Sequence, residues 1–404
     1  MFTEEDKKYM KMALVLAEKA RGFTSPNPMV GAIIVKNGKI LSSGYHKKAG
    51  LTHAEAEAIN SCADKNILKG SKLYVTLEPC SIYGKTPPFT YAIIKYGFKE
   101  VIAACTDPNP KVNDRGIKLL NDTGIMTSTG LLQVKAVKLN EVFFKHIVQG
   151  IPFITAKIAC SIDGRTAAKT KDSKWITGEK ARKLVRLIRG YNDCVLTGIN
   201  TVITDNPELL PEKSKFQISG SGDCKPEDSK TGTGKKYFRV ILDSSLKLDL
   251  QSKIVKSAGS CRTIVFCSES IKNIPAKLKK KELLQQKGID VVFTSVQVNQ
   301  TFKKTGDENT AVFLNLQCVI ETLYKKYGIT SVLIEAGKTV LSSFLKSGLI
   351  DKFIFFTAPK IIGGDSPYGI FSDLNLCRVS EAISLQFDEL KRVGNDIMIT
   401  AYNC

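Results

Sequence analysis

Two short runs of residues carry the side chains best suited to metal chemistry. His53 opens a His-Ala-Glu run that ends at Glu55, and Cys80 closes a Glu-Pro-Cys run. In zinc sites that activate water, one His and two Cys hold the ion, while a neighbouring Glu that is not a ligand transfers the proton. The third ligand would follow the Thr-Pro-Pro run at 86–88, but that residue is Phe89, and a phenyl ring cannot bind zinc. The sequence therefore predicts a zinc site that lacks one of its protein ligands.

Three interpretations of this incomplete site remain open from the sequence. Cys105, on a neighbouring predicted strand, could supply a substitute thiolate. The pocket could instead keep its substrate without the chemistry, or residues 1–145 could serve as a folded dimerisation or docking module. Only the first interpretation would restore a zinc centre.

The elements that must position these residues follow from the spacing of apolar and turn residues. Apolar side chains recur at helical spacing from Met10 to Ala20, and an Asn-Gly pair at 37–38 separates two apolar runs, which is typical of a β-hairpin. His53 would then begin a helix, and Cys80 would follow a strand. In chain order the predicted elements are a helix at 4–20, strands at 30–35 and 40–45, a helix from 53, a strand at 72–77, a helix at 91–95 and a strand at 101–104.

The second half of the chain reads as a separate unit. A strand-forming run at 153–158 restarts the pattern after Gly150, so we expect two domains, 1–148 and 149–404. Further strand-forming runs alternate with helical stretches and predict a large α/β sheet. The segment 211–236 is rich in Ser, Gly, Lys, Asp and Pro, and we expect it to be a surface loop without fixed structure. The predicted strands of this half lie at 194–197, 238–242, 263–266, 290–293, 332–334 and 353–357.

Composition and cysteine usage indicate a cytoplasmic protein. Hydrophobic residues make up 43% and charged residues 24% of the 404 residues, and no apolar run approaches the ~20 residues of a membrane span, so we expect no membrane partner. The acidic start at 1–6 is unlike a secretory signal. The cysteines number 11, are scattered and include no Cys-x-x-Cys pair, which favours a reducing compartment.

The formal net charge of +20 raises the question of a nucleic-acid partner. The lysines are spread along the whole chain and form no stripe with stacking aromatic residues, so we expect no nucleic-acid binding. A positive field would instead attract anionic small molecules such as phosphorylated substrates and dinucleotides. Solvated surface lysines explain the same excess equally well.

Two ordered sets of motifs cover both halves of the chain. The first set comprises the runs at 26–31, 44–46, 53–55, 76–81 and 107–110. The second comprises the runs at 161–166, 173–178, 201–202, 205–207, 335–337 and 358–364. In this order, and over nearly the full length, they resemble the bifunctional deaminase/reductase family of riboflavin biosynthesis.

The resemblance implies an α/β protein with two activities. It implies a first domain of cytidine-deaminase-like fold, an α/β/α sandwich, that removes the ring amine of a pyrimidine phosphoribosylamine. It implies a second domain of dihydrofolate-reductase-like fold that uses NADPH to reduce the ribosyl group of 5-amino-6-(5-phosphoribosylamino)uracil to ribityl. The expected partners are therefore a phosphorylated pyrimidine substrate and further copies of the chain in a homo-oligomer.

The resemblance also implies roles for individual residues. His53 and Cys80 match zinc ligands, and Glu55 matches the proton shuttle. For the reduction we expect Lys157, Asp205 and Glu335 to be the polar groups near the reacting carbon. The residues matched to the cofactor site are Ala159, Trp175, Thr201, Asp205, Ser244, Gly337, Lys338, Thr339, Val340, Leu341, Ser342 and Ser343. The residues matched to the substrate site are Ser173, Arg189, Leu209 and Glu335.

Some of these residues have simpler alternative roles. Trp175, the single tryptophan, could pack in the core, and Arg189 could be a solvated residue near a helix end rather than a phosphate ligand. Glu212 stands where the family often has an Arg that holds the substrate phosphate, and Lys213 or Lys215 could replace it. The sequence therefore leaves the affinity for the substrate phosphate undetermined. Glu212 does not directly affect hydride transfer.

Three functional hypotheses follow from the sequence. The first is an NADPH-dependent reductase of riboflavin synthesis whose attached deaminase domain is impaired by Phe89. The second is the fully bifunctional, zinc-dependent enzyme. The third is a nucleic-acid base deaminase, because such enzymes share the His-x-Glu and Pro-Cys elements.

Overall fold

The Asn-Gly pair at 37–38 forms the first turn in a computed structural model of the chain. Both residues have positive φ, 49° and 73°, as a two-residue hairpin turn with the right twist requires. The turn joins two antiparallel strands in which Gly31 pairs with Tyr45 and Lys36 with Lys39. The predicted hairpin is confirmed.

The structure describes residues 2–81, 88–110, 112–170, 172–218, 234–297, 313–364 and 368–403. They belong to two compact units, Met1–Ile151 and Pro152–Cys404. Across these ranges, no helix has both the length and the apolar character needed to cross a membrane.

The first unit contains a five-stranded sheet in the order β2-β1-β3-β4-β5. Strand β1 is antiparallel to β2 and β3, and β3, β4 and β5 run parallel. The strands are β1 (Gly31–Lys36), β2 (Lys39–Tyr45), β3 (Lys72–Val75), β4 (Glu100–Ala103) and β5 (Met126–Thr129). The helices are α1 (Glu4–Glu18), α2 (Ala54–Ser61), α3 (Phe89–Lys95), α4 (Arg115–Asp122), α5 (Gln133–Leu139) and α6 (Glu141–Gln149), with a 3₁₀ turn at Lys65–Leu68.

Alternate residues of β1 face two separate cores. Ile34 packs in a cluster that includes Ala58 of α2. Ile33, one position earlier, packs in a cluster that includes Met10 of α1 and Phe143 of α6. Because successive strand side chains point to opposite faces, helices cover both sides of the sheet. The predicted α/β/α sandwich is confirmed.

The second unit contains a nine-stranded sheet in the order β12-β11-β10-β7-β15-β6-β16-β18-β17. Its first seven strands run parallel, and β18 and β17 add antiparallel at one end. These strands are β6 (Phe153–Ser161), β7 (Cys194–Gly198), β10 (Phe238–Leu242), β11 (Arg262–Ser268), β12 (Ile289–Thr294), β15 (Ser331–Ile334), β16 (Lys352–Ala358), β17 (Leu385–Val393) and β18 (Asp396–Asn403). The described helices are α7 (Glu179–Tyr191), α8 (Ile199–Asp205), α9 (Lys253–Lys256), α10 (Pro275–Gln286), α11 (Leu316–Tyr327) and α12 (Lys338–Lys346), with 3₁₀ turns at Glu269–Ile271 and Val379–Glu381.

The segment predicted to lack fixed structure, 211–236, is ordered at both ends, so that prediction is wrong there. Strand β8 (Gln217–Ile218) pairs in parallel with β9 (Gly234–Lys235). Phe216 and Lys235 are buried, which anchors the two ends on the unit. The part at 219–233 lies outside the described residues. A second short pair, β13 (Val296–Gln297) with β14 (Phe313–Leu314), is antiparallel.

Candidate functional site

The start of α2 carries two of the predicted zinc-site residues. His53 is the residue that caps α2, and Glu55 lies in its first turn. The helix packs tightly on β2, because a Cβ atom on Gly44 would lie 2.4 Å from the backbone nitrogen of Ala58. Glu55 is buried, and this desolvation raises the pKa of its carboxyl to about 7. A carboxyl group with a pKa near neutrality is suited to general acid-base work.

Phe89 occupies the face of His53. The two rings are stacked, with 4.9 Å between their centroids and 30° between their planes. His46 also lies near His53, with 5.8 Å between ring centroids, and its Nδ1 is 3.0 Å from the carbonyl oxygen of Thr52. Burial, and then the neighbouring His46, lower the pKa of His53. The ring neighbours of His53 are therefore the imidazole of His46 and the hydrocarbon ring of Phe89.

Cys105 is hydrogen-bonded to a backbone carbonyl on the neighbouring strand end. Its thiol donates to the carbonyl oxygen of Thr76, with 3.5 Å between the atoms. Burial first, and then the charges of Asp107 and Glu78, raise the pKa of the Cys105 thiol to about 12, so it is not a thiolate at neutral pH. Among the residues that the structure describes, no three His, Cys, Asp or Glu side chains form a group able to hold a metal.

The backbone beside Cys80 is organised by the carboxylate of Glu78. Its two oxygens accept hydrogen bonds from the backbone N–H groups of Asp107, Asp114, Gly116 and Ile117, at 2.9–3.4 Å. Asp114 has a left-handed backbone with φ of 58°, which explains why glycine suits that position. This network anchors the loop before α4 and the first turn of α4 on Glu78.

Glu335 lies at the centre of a buried charge cluster in the second unit. It follows β15, and its carboxylate accepts a hydrogen bond from Nε of Arg189 on α7 and a second from Nη2 at 3.0 Å. The Nζ of Lys157 on β6 is 3.2 Å from the same carboxylate. Burial by itself would raise the pKa of Glu335, but the charges of Arg189 and Lys157 lower it to about 2. Glu335 is therefore an anion at neutral pH.

Arg189 is held inside the unit rather than solvated. Besides its two bonds to Glu335, its Nη1 donates to the carbonyl oxygen of Leu210 at 3.2 Å. The alternative of a solvated Arg near a helix end is therefore wrong. Its assignment to a substrate phosphate stays a prediction, with most of the guanidinium fork already directed to Glu335.

The carboxyl ends of the parallel strands bring together several residues assigned to the cofactor. A Cβ atom on Gly198 would lie 2.8 Å from Cγ2 of Val340, and one on Gly337 would lie 4.0 Å from Oγ1 of Thr201. Gly337 caps α12 without a side-chain hydrogen bond. The first N–H groups of a helix have no acceptor within it, so this helix start is suited to an anionic group.

Three residues of the segment 337–343, which the resemblance assigns to the cofactor, have structural contacts. Leu341 is buried in the unit, and the hydroxyl of Ser342 accepts a hydrogen bond from the backbone N–H of Ser372 at 2.8 Å. The hydroxyl of Ser343 donates to the carbonyl oxygen of Thr339 at 2.9 Å. These contacts give the three side chains structural roles within the unit.

Trp175 is 63% exposed, so its alternative role in the core is wrong. The guanidinium of Arg182 lies 4.2 Å from the centroid of its ring. The Nζ of Lys360 donates to the carbonyl oxygen of Trp175 at 2.7 Å. The indole therefore forms part of a cationic surface.

The remaining predicted site residues are spread over the same unit. Asp205 is the exposed last residue of α8, and Leu209 is buried with φ of 54°. Ala159 lies two residues after Lys157 on β6, so both side chains face the same side of the sheet. Ser173 precedes Lys174 in a loop, and Ser244 follows the strand β10.

Glu212 pairs with a cation that the sequence reasoning missed. The Nε of Arg186 on α7 donates to its carboxylate at 2.9 Å, and the backbone N–H of Glu212 donates to the carbonyl oxygen of Arg186 at 3.1 Å. Lys215 lies instead over the ring of Tyr191, with 4.9 Å from Nζ to the ring centroid. Helical spacing was the available signal, because 182, 186 and 189 fall on one face of α7.

Comparison with known proteins identifies both units. Residues 152–399 match the model described as RibD C-terminal domain, and residues 3–105 match the model described as cytidine and deoxycytidylate deaminase zinc-binding region. The riboflavin biosynthesis protein RibD of Aquifex aeolicus (strain VF5) is 37% identical over 399 residues, which cover 99% of this chain and 99% of that protein. The chain belongs to the RibD family.

Solved structures of RibD proteins agree with this assignment. Acinetobacter baumannii RibD, form 1, superposes with a TM-score of 0.79 at 32% identity and covers 99% of both chains. A diaminohydroxyphosphoribosylaminopyrimidine deaminase/5-amino-6-(5-phosphoribosylamino)uracil reductase from Thermotoga maritima gives 0.76 at 30% identity and the same 99% coverage of both chains. The predicted family and fold are confirmed, and the chain is an enzyme of riboflavin biosynthesis with a RibD reductase unit and a deaminase-type unit.

Proposed function

We propose that the second unit reduces the ribosyl group of 5-amino-6-(5-phosphoribosylamino)uracil to ribityl with NADPH. The Thermotoga maritima relative, 30% identical, is named as a reductase of this compound. The observation that carries the proposal is the buried carboxylate of Glu335 held between Arg189 and Lys157. Two cations on one buried anion are costly to assemble, and such clusters occur preferentially at functional sites.

The start of α12 supports a dinucleotide as the cofactor. The helix begins at Gly337, close to Thr201, and the absence of a side chain at Gly198 leaves room for the close approach of Val340. Backbone N–H groups at a helix start suit a pyrophosphate. When bound there, NADPH would supply the hydride.

Lys157 is the residue that we propose as the proton donor of the reduction. The ribosylamine must open before its sugar C1 can be reduced, so the bond from C1 to the ring oxygen breaks and that oxygen takes up a proton. The ionised Glu335 cannot supply this proton, because its pKa is about 2. The ammonium of Lys157, 3.2 Å from Glu335, carries N–H groups that can. Glu335 and Arg189 would orient it.

We further propose that the first unit binds no zinc tightly and is impaired in deamination. Its two candidate ligands are His53 and Cys80, and the stacked ring of Phe89 lies on His53. The Cys105 thiol donates to the carbonyl oxygen of Thr76, and burial raises its pKa, so we count it as no ligand and the coordination set is one ligand short. We therefore assign no step to a metal in this unit.

The predictions of a cytoplasmic location and of no nucleic-acid partner remain predictions.

One assay separates the proposed function from the fully bifunctional alternative. The full chain is given NADPH with either the aminated or the deaminated pyrimidine, and NADPH oxidation is followed by absorbance. We expect oxidation with the deaminated compound only. Oxidation with both compounds would support the bifunctional enzyme, and oxidation with neither would overturn the reductase assignment.

A pair of lysine variants provides the control for the reductase arm. Lys157→Met should abolish oxidation of NADPH with the deaminated compound. Lys325→Met removes an exposed ion pair with Glu321 and should leave the rate unchanged. Equal rates for the two variants would remove Lys157 from the reaction.

A further inference from the structure

Two loops leave the carboxyl end of the second sheet side by side. The first loop, 162–166, follows β6, and the second loop, 359–364, follows β16. The two strands are parallel neighbours and pair up to their last residues. Lys157, the proposed proton donor, and Ala159, which is assigned to the cofactor, both lie on β6. The first loop thus continues the strand that carries two residues of the reductase site.

The carboxylate of Asp163 joins the two loops. Its Oδ2 accepts a hydrogen bond from the backbone N–H of Gly363 at 2.7 Å, and its Oδ1 accepts one from the N–H of Ile362 at 3.2 Å. The hydroxyl of Ser161 donates to the same Oδ1 at 2.5 Å. The bond from Ser161, and then that from Gly363, lower the pKa of Asp163 to about 2, so it is an anion at neutral pH. Hydrogen bonds to a charged acceptor are about twice as strong as neutral ones.

Two further hydrogen bonds connect the same loops. The N–H of Ile162 donates to the carbonyl oxygen of Lys360 at 3.0 Å, and Nη2 of Arg165 donates to the carbonyl oxygen of Gly364 at 2.8 Å. Asp163 is exposed, so it adds little to the core of the unit. Its carboxylate is directed instead to the backbone of the second loop, which it fixes on the first.

The second loop reaches the single tryptophan through Lys360. The Nζ of Lys360 donates to the carbonyl oxygen of Trp175 at 2.7 Å. The side chain of Trp175 is exposed, and its ring lies under the guanidinium of Arg182. An exposed indole is not held by core packing, so its position depends on contacts such as these.

We propose that Asp163 is a positioning residue of the reductase, which acts on the cofactor through the second loop, Lys360 and Trp175. The family resemblance assigns Trp175 to the cofactor, so this inference rests on the proposed function. While Asp163 fixes the second loop, the ammonium of Lys360 holds the backbone at Trp175 and keeps the indole where NADPH would bind. Without this carboxylate the loop loses two hydrogen bonds, and the indole gains freedom to move.

The fluorescence of the free protein tests the first part of the proposal. Trp175 is the only tryptophan in the chain, so tryptophan anisotropy measures the motion of that indole alone. The anisotropy should fall in Asp163→Ala, and also in Lys360→Met, which leaves the hydrogen bonds of Asp163 in place. Asp249→Ala is the matched control, because it removes an exposed carboxylate that accepts a backbone N–H at 2.9 Å in another loop. It should leave the anisotropy unchanged.

Steady-state kinetics test the effect on the cofactor. Asp163→Ala and Lys360→Met should each raise the KM for NADPH about tenfold, whereas kcat and the KM for the deaminated pyrimidine stay within about twofold of the wild type. The double variant should be no worse than either single one, because both changes interrupt the same series of contacts. Lys325→Met, at an exposed ion pair, should keep the KM of the wild type.

Circular dichroism melting separates these effects from a loss of folding. All variants should melt as the wild type does, because the substituted side chains are exposed. If Asp163→Ala melts at a lower temperature, Lys360→Met still tests the proposal, since it changes the contact with Trp175 and leaves the joined loops intact.

Three results would overturn the proposal. Unchanged anisotropy in both single variants shows that the joined loops do not hold Trp175. Lower anisotropy with an unchanged KM for NADPH shows that the position of the indole does not matter to the cofactor. Effects that add in the double variant show that Lys360 does not act through Asp163. A wild type that oxidises no NADPH overturns the proposed function and this role together, and the anisotropy, which needs no cofactor, distinguishes that failure from a failure of the contacts.

Discussion

The phenyl ring of Phe89 lies on the imidazole of His53, with 4.9 Å between the ring centroids. Phe89 is the first residue of α3, and His53 caps α2, so two helix starts bring the rings together. A thiolate at the same helix start would lie near the imidazole and near Cys80. We therefore predict that the side chain at 89 decides whether this pocket can hold a metal.

Phe89→Cys should create a zinc centre. With His53 and Cys80 it completes a set of three protein ligands, so we expect about one zinc ion per chain after purification in the presence of zinc. Elemental analysis measures the metal, and ammonia release from the aminated pyrimidine measures the gain of activity. Phe89→Ser is the matched control, because it removes the ring without adding a thiolate. A wild type that already holds stoichiometric zinc would contradict the assignment.

Glu335→Gln should reduce both stability and turnover. It leaves Arg189 and Lys157 buried without their anion, and breaking a buried pair in this way costs about 3–5 kcal/mol. We expect NADPH oxidation to fall about 100-fold, because Lys157 loses the group that orients it. Urea unfolding and steady-state kinetics measure the two effects. Glu321→Gln, which breaks an exposed pair with Lys325, should cost less than about 0.5 kcal/mol and leave turnover unchanged.

The pKa of Glu335 sets the pH range in which its ion pairs with Arg189 and Lys157 stabilise the fold. A carboxyl group with a lowered folded pKa stabilises the fold fully above its unfolded pKa of about 4.3. The contribution is lost as the pH falls toward the folded pKa of about 2. The difference in unfolding free energy between wild type and Glu335→Gln should therefore shrink in this acidic window. A difference that stays constant there would show that the ionisation of Glu335 is not the source.

Arg186 and Glu212 should have opposite effects on the phosphorylated substrate. Arg186 lies one helical turn from Arg189, and its guanidinium is engaged by Glu212 at 2.9 Å. If it helps to hold the substrate phosphate, Arg186→Ala should raise KM about tenfold without changing kcat, and Glu212→Ala should lower KM by releasing the cation.

The phosphate itself supplies the control for this pair. With the dephosphorylated substrate, both variants should have the KM of the wild type. Lys180→Ala, an exposed change on the same helix, should have no effect on either substrate. Equal changes in KM for the two substrates would show that Arg186 acts on something other than the phosphate.

Lys235 should make the second unit more stable as the pH rises above 8. It is buried, its Nζ donates to the carbonyl oxygen of Gly190, and desolvation lowers its pKa to about 8. Between that value and the unfolded pKa of about 10.4, the unfolded chain binds more protons, so the free energy of unfolding rises by up to about 3 kcal/mol.

Lys235→Met should remove this rise, whereas Lys236→Met, at the exposed neighbouring position, should retain it. Urea unfolding at a series of pH values between about 7 and 10 measures the slope. A wild type whose stability does not change over this range would refute the assignment.

The elements of the first unit were predictable because their signals are local. The hairpin required only Asn37 and Gly38, and the placement of His53 at a helix start followed from the apolar spacing around it. The strands of the second unit were also predicted where they are buried on both faces. Strand β17 was not, because its side chains face solvent on both sides and so leave no alternating apolar pattern.

The charge cluster could not be derived from the sequence as a geometry. Arg189 and Glu335 are 146 positions apart, and only the folding of α7 against the end of β15 brings them together. Their roles were expected from the family motifs, but the pairing of the guanidinium with Glu335 was not. The partner of Glu212 was missed for the same reason, since Arg186 carries no motif of its own.

The carboxylate of Glu78 ties four backbone groups around the loop beside Cys80. The backbone shape of this part of the first unit thus depends on Glu78, a side chain that is not one of the candidate zinc ligands. None of these four contacts involves position 89, so a substitution there changes a candidate ligand and leaves this framework intact.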